Sequence, residues 1–545
     1  MATLVHSIPS ISFLSSLTLQ PLKIKTHKKS LSTSRSEPIK TLTCTTSKPN
    51  NKSPTMDGRK PTSKKTRKSS YGTSRRSVLK KTFIQEQVTF TSQLSSDPHV
   101  GIIGGGMTGL LCALSLEKRG VKSTVFDTVE MKTISFLFDT YFSPGIHGLG
   151  GRMGTRVIDP QPLIFDHAAQ FFTVSDPRFS ELVDDWLDKG LVRQWQGIIG
   201  ELEVGGQFLP FPSSTPRYIS VNGMRSLADS ILSQVVDHFV AFSYLLTTRH
   251  FVAFSSAFNY SYHENEKTCM VDVVRPCWIS KLEPFNGMWH LSENGKPCGQ
   301  FDIIVIAHNG KCANRLLASS GLPLIARQMK TLGLSSIWAL LAAFEDPLPI
   351  PTGATPFEGA FVKGVDSLSW MGNNSAKLLG SKTNSPHCWT FFSTAAYGKR
   401  NKVPQENIPT ATAEKVKTGM LEGVEAALGL PKDSLQRPFY SRVQLWGAAL
   451  PTNTPGIPCI FDPQGRAGIC GDWLLGSNLE SAALSGMALA NHIADYLRSG
   501  GARPEEFALG LNKEFQTLEG HDIGQFSGLE SSTGASPVQA YQLST

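Results

Sequence analysis

The chain has 545 residues, 40% of them hydrophobic, enough for large cores and too many for a mostly disordered protein. Its formal charge of +9 is unevenly spread: residues 1–80 hold 17 Lys/Arg and two acids, Glu37 and Asp57. The rest is 36 basic against 42 acidic residues, so the body has no electrostatic claim on nucleic acid.

The leader, residues 1–80, holds 28 Ser/Thr and cannot bury enough apolar surface to fold alone. It reads as an organelle transit peptide, more plastid-like than mitochondrial because Arg is scarce before Arg35. A merely basic disordered tail is the alternative. Ser74-Arg75-Arg76-Ser77-Val78-Leu79-Lys80 resembles a twin-arginine export signal, but Lys81-Thr82-Phe83-Ile84-Gln85-Glu86 follows where an apolar stretch is needed. The expected location is therefore the chloroplast, in the stroma and not the lumen. No uncharged apolar run reaches the roughly 18 residues that a membrane-spanning helix needs. Nine cysteines are scattered without a C-x-x-C pair, and H-E-x-x-H is missing, so no metal site or disulfide framework is expected.

At His99 the chain changes character. Val100-Gly101-Ile102-Ile103 is an apolar run suited to a buried parallel strand. Gly104-Gly105-Gly106-Met107-Thr108-Gly109 matches G-x-G-x-x-G, a helix is predicted over 110–119, and a second strand over 121–126 ends at Asp127. In this setting Gly104 permits the tight turn, and Gly106 lets a pyrophosphate approach the helix N-terminus, whose free N–H groups attract anions. Gly109 lets helix and strand pack closely, and Asp127 stands where a ribose hydroxyl would donate. Met107 and Thr108 line the same turn. The pattern means a dinucleotide site and does not separate FAD from NAD(P).

Two further motifs narrow the choice. Gly148-Leu149-Gly150-Gly151-Arg152-Met153-Gly154-Thr155-Arg156 is followed by Phe165-Asp166-His167-Ala168-Ala169-Gln170-Phe171-Phe172. Near the C-terminus stand Gly468-Ile469-Cys470-Gly471-Asp472-Trp473 and Asn478-Leu479-Glu480-Ser481-Ala482-Ala483-Leu484-Ser485-Gly486. Together with the first motif these resemble the FAD-dependent amine oxidase superfamily, in detail its renalase-like branch, over roughly residues 98–498. Gly151 lets backbone run beside a diphosphate, and Arg152 offers it a fixed cation. The resemblance implies that Asp472 meets the ribityl chain or diphosphate of FAD. It also places Gln170, Phe171, Leu479 and Ala482 near the cofactor and a backbone group near Ile279 at the adenine. Two departures stand out: Ala168 where the family usually has Gly, and Asp127 where Glu is common. No cysteine has the setting of a covalent flavin link, so FAD is expected to be non-covalent.

The implied fold is α/β: a Rossmann-like FAD-binding domain (GR2-type) with an inserted mixed-sheet α+β substrate domain. The cofactor domain is expected in three pieces, 97–170, 221–312 and 441–500, and the substrate domain in two, 171–220 and 313–440. Strands are predicted over Trp338–Phe344 and Phe301–Ala307, and a hairpin over 278–291. Two aromatic-rich stretches, 129–144 and 237–268, exceed what the resemblance expects and read as non-native insertions, with a real aromatic loop as the alternative. Residues 510–545 read as a mobile tail.

Phe172, Trp370, Trp446 and Trp473 are the candidate substrate-pocket aromatics. His167 and Lys363 are conceivable helpers, but each is more simply structural, and no catalytic residue is assigned. The implied reaction takes a hydride from a small amine or reduced nicotinamide-type molecule onto the flavin, with oxygen or another acceptor reoxidising it. A plastid flavoenzyme acting on a larger apolar ring or polyene, and a non-catalytic flavin-binding assembly or regulatory protein, are the alternatives.

Overall fold

In a computed structural model the described residues are 86–128, 151–159, 163–236, 270–308, 310–350, 356–380, 386–405 and 407–518. All belong to the second of two units, Thr82–Thr545. The leader (1–80), both suspected insertions (129–144 and 237–268) and Gly148 to Gly150 lie outside them.

Apolar runs build the first sheet. Its strands lie in the order Ile460–Asp462, Ala467–Ile469, Ile303–Ile306, His99–Ile103, Lys122–Phe126 and Val271–Val274. The last five are parallel and the first is an antiparallel edge. Val100 stands opposite Ile303 on one side and Ser123 on the other. Because both faces are covered, the strands read as continuous apolar runs and not as alternating ones. The helix Met107–Lys118 connects the first two strands and packs Cys112, Ala113 and Leu116 against Val100, Ile102 and Val125. This is a Rossmann-like dinucleotide fold, with helix and strand limits within three residues of those predicted.

The second sheet has seven strands: Tyr440–Trp446, Ile337–Phe344, His387–Phe392, Trp370–Asn373, Gly359–Lys363, Ile199–Glu203 and Gln207–Pro210. Neighbours are antiparallel except Gly359–Lys363 with Ile199–Glu203, so the sheet is mixed. Ile337–Phe344 is buried at every position because each face has its own cover. Trp338, Leu340, Ala342 and Phe344 meet Val416, Met420 and Val424 of the helix Thr410–Leu428. Ile337 and Ala339 meet Phe171, Trp370 and Trp446 on the other face.

Three boundaries differ from the expected ones. The helices Gly310–Leu317 and Pro323–Thr331 pack on Ile304 and Ile306 of the first sheet, so the second region opens near Ile337 and not at 313. Tyr440–Trp446 pairs with Ile337–Phe344, so the second region closes at 446 and not at 440. The helix Pro177–Asp188 turns Phe179, Val183 and Trp186 onto Met107, Leu110 and Leu111, which ties residues expected in the substrate domain to the first region. The expectation of a mobile tail from residue 510 is corrected for 510–518. There Gln516–Thr517 pairs with Asn453–Thr454, Gln328 Nε2 donates to the Leu511 carbonyl at 2.7 Å, and Phe515 stacks on Trp473 at 6.2 Å.

Candidate functional site: a dinucleotide cradle and an aromatic wall

The glycine-rich turn is shaped by close approach. Gly104 has a φ of +126°, and a Cβ there would lie 2.9 Å from the Ala307 carbonyl oxygen. A Cβ on Gly109 would overlap the Gly104 carbonyl oxygen. Gly106 is different: apart from its chain neighbours, no atom of the described residues lies within 4 Å of where its Cβ would be. The turn is thus closed against the protein at two glycines and open at the third. The helix that starts at Met107 has no side-chain cap and no acid in its first turn, so its leading N–H groups keep their partial positive charge.

Asp127 sits against this turn. It is 8% exposed; one oxygen accepts from Thr128 N at 2.8 Å, and the other, Oδ2, has no hydrogen-bond partner among the described residues. Burial pushes its carboxyl above the usual carboxylate range. Cys277 N donates to the Asp127 carbonyl at 2.7 Å, and two residues on, Ile279 is buried with Phe126. Asp127 and Ile279 therefore border one corner.

Arg152 and Asp472 join each other. Arg152 Nη2 donates to Asp472 Oδ1 at 2.5 Å, and its Nη1 to the Ala449 carbonyl at 3.0 Å. The arginine side chain is 35% exposed and the aspartate 9%. Gly151 has a φ of +55°, and apart from its chain neighbours no atom of the described residues lies within 4 Å of its Cβ position. Gly471 N donates to Ser485 Oγ at 2.8 Å, which fixes the turn ahead of Asp472. The helix Leu479–Arg498 starts at its own cap, Asn478, which accepts from Ser481 N at 2.7 Å. Its small-residue face meets the first helix. A Cβ on Gly486 would overlap the Thr108 carbonyl oxygen, and Leu479 and Ala482 pack on Met107 and Leu110.

Between the two sheets lies a buried ion pair that no sequence spacing announced. Lys377 Nζ and Asp166 Oδ2 are 2.7 Å apart, with side-chain exposures of 1% and 0%. Asp166 Oδ1 accepts from Thr155 Oγ1 at 2.5 Å and from Met224 N at 2.9 Å. Lys377 also donates to the Gln170 carbonyl at 3.0 Å, and Gln170 Nε2 to the Asp166 carbonyl at 2.6 Å. Asp166 N donates to Asn374 Oδ1 at 3.1 Å. The stretch from Asp166 to Gln170 is held from every side.

That stretch delivers Phe171 into an aromatic wall. Its ring centroid lies 5.7 Å from Trp195, 5.9 Å from Trp370 and 6.4 Å from Phe361, and Phe361 lies 4.6 Å from Trp370. Trp446 stacks on His167 at 5.5 Å and donates from Nε1 to its carbonyl at 2.9 Å. The structure thus brings Phe171, Trp370 and Trp446 into one cluster. Phe172 faces elsewhere, stacked on Tyr218 at 5.7 Å, and Trp473 lies in the core around Trp289. Lys363 forms an exposed pair with Glu201 at 3.6 Å.

Residues 102–130 match the family profile described as an NAD(P)-binding Rossmann-like domain. Among solved structures the chain is similar to a proposed protoporphyrinogen oxidase from Exiguobacterium sp. 255-15, at 12% identity and a TM-score of 0.49, covering 74% of this chain and 99% of that one. It is similar to a putrescine oxidase bound to putrescine at 10% identity and a TM-score of 0.46, covering 73% and 99%. It is also similar to cyclohexylamine oxidase from Brevibacterium oxydans IH-35A at 14% identity and a TM-score of 0.43, covering 74% and 100%.

Proposed function

We propose that the chain is an FAD-dependent oxidoreductase of the amine oxidase type, renalase-like, acting on a small amine or a reduced nicotinamide-type molecule in the chloroplast stroma. One observation carries the cofactor reading: the buried Asp127 carboxylate with an unpartnered oxygen, set beside the open Gly106 turn and an uncapped helix N-terminus. A buried carboxylate oxygen without a donor is costly, and a ribose hydroxyl would supply one. Gly104, Gly106, Gly109 and Asp127 would hold the adenosine and pyrophosphate end, while the Arg152–Asp472 pair would hold the part beyond. The flavin, when bound, supplies hydride acceptance.

The protein's own residues do the rest. Asp166 and Lys377 fix the Ala168–Phe171 segment, so the wall of Phe171, Phe361, Trp370 and Trp446 is set before a substrate arrives. The wall presents apolar faces that exclude water. The thiol of Cys470, beside the Asp472 turn, is fully buried and held protonated far above its ordinary range by that burial, which supports non-covalent FAD. Oxygen or another acceptor would complete the turnover.

Visible absorbance of the purified protein tests this reading. The expected result is a flavin spectrum, released intact on denaturation and bleached anaerobically by a small amine or reduced nicotinamide. A colourless protein that takes up NAD but not FAD would overturn it.

A further inference from the structure

Arg217 is 7% exposed, and its carbonyl accepts from Trp195 N at 2.7 Å. The next residue, Tyr218, exchanges both backbone hydrogen bonds with Phe172, at 3.0 and 2.8 Å. Arg217 therefore runs beside the segment that carries Phe171. Residues two apart along an extended chain share a face, and Ile219 packs with Phe171, Trp195, Phe361 and Trp370. The guanidinium carbon lies 5.7 Å from the Phe211 ring, and Phe211 lies 5.7 Å from Phe361. The cation borders the aromatic wall.

Among the described residues Arg217 forms no ion pair. Nε and Nη2 are buried and have no hydrogen-bond partner among the described residues. Burial lowers its pKa from the ordinary arginine value. An uncompensated buried charge is a standing cost to the fold. The two unpartnered atoms are also the pair that share one edge of the guanidinium. Their N–H bonds run parallel at the spacing of the two oxygens of a carboxylate.

We propose that Arg217 is a substrate-binding residue whose Nε–Nη2 edge takes a carboxylate, so that the oxidised molecule is a small amine or ring bearing one. This rests on reading the wall as the substrate side of an oxidoreductase. The carboxylate fixes the anionic end, and the apolar remainder lies against Phe211 and Phe361, toward Phe171 and Trp370. An arginine kept only for stability would behave otherwise, because its removal would cost the Phe211 contact and gain nothing.

The test uses the full chain as purified, with benzoate as probe and benzamide as its neutral counterpart, read by calorimetry and by tryptophan fluorescence. Benzoate is expected to bind, Arg217→Met to weaken it by roughly 100-fold, and benzamide to bind both proteins alike. The thermal midpoint of Arg217→Met should equal or exceed that of the parent, since a buried unpaired charge is gone. Arg217→Lys keeps the charge but loses the two-donor edge, and should weaken benzoate at least about tenfold. Benzoate bound no better than benzamide, or equally well by Arg217→Lys and the parent, overturns the proposal. A lowered midpoint in Arg217→Met overturns it too. Neither readout needs a flavin. A colourless protein that binds benzoate through Arg217 overturns the oxidoreductase reading alone, and a yellow protein indifferent to benzoate overturns the Arg217 proposal alone.

Discussion

The two sheets solve the problem of a binding surface in opposite ways. The parallel sheet offers backbone: glycines that leave room, a helix terminus with free N–H groups, and one carboxylate, Asp127, at a strand end. The seven-stranded sheet offers side chains: aromatic rings from Phe361, Trp370 and Trp446, joined by Phe171 from the stretch after Asp166, with a buried cation at the border. Backbone surfaces recognise what all dinucleotides share, and side-chain surfaces choose among substrates. The Asp166–Lys377 pair lies between the two and holds the stretch that leads from one to the other.

That contrast can be broken most severely at the joint. Lys377→Met leaves a fully buried Asp166 without its cation, and breaking one side of such a pair costs about 3–5 kcal/mol. Chemical denaturation should show the loss; a change under about 1 kcal/mol would mean that Thr155 and Met224 suffice for the carboxylate.

Next comes the backbone surface itself. Gly109→Ala places a methyl group on the Gly104 carbonyl oxygen, which cannot move without moving the turn. The expected cost is about 1–3 kcal/mol of stability, with dinucleotide binding lost. Unaltered binding would show that the turn yields.

Asp127→Asn separates recognition from stability. It should weaken the dinucleotide by roughly 10- to 100-fold, seen by titration, because a charged hydrogen bond to ribose becomes a neutral one. The unliganded protein should behave in the other direction. Burial raises the Asp127 pKa, so the folded state holds that proton more tightly than the unfolded chain does. Its stabilising effect is full below the ordinary aspartate range and is lost as pH rises through the raised value. At neutral pH the variant should match or exceed the parent in melting temperature, and its advantage should vanish on acidification. An advantage that grows on acidification would refute the assignment.

The smallest effect is expected within the wall. Trp446→Phe keeps an aromatic ring but removes the donor to the His167 carbonyl, at about 1 kcal/mol. Denaturation and substrate affinity should both shift slightly; a large loss of affinity would give Trp446 a direct part in binding.

The sequence by itself determined the opening of the first region, from His99 to Asp127. A Gly-rich turn between two apolar runs, ending in an acid, has one backbone solution, and its parts lie within 29 residues, His99 to Asp127. Local spacing carries that information because the turn closes within the stretch, Gly104 N donating to the Phe126 carbonyl and His99–Ile103 pairing with Lys122–Phe126. It also carried the strand Ile337–Phe344 and the hairpin of Lys281–Phe285 with Met288–Glu293, which are apolar or turn-bounded stretches of the right length. What only the tertiary structure decided are relations between distant residues. Lys377 meets Asp166 across 211 positions, a pairing no periodicity encodes. Trp370 and Trp446 share a cluster while Phe172 and Trp473 fall into others, because which way each ring turns is set by the packing of distant segments and a composition of aromatics does not say which. Arg217 carried no signal at all: an arginine among polar turn residues reads as surface. Its meaning comes from burial without a partner, which exists only once the chain has folded.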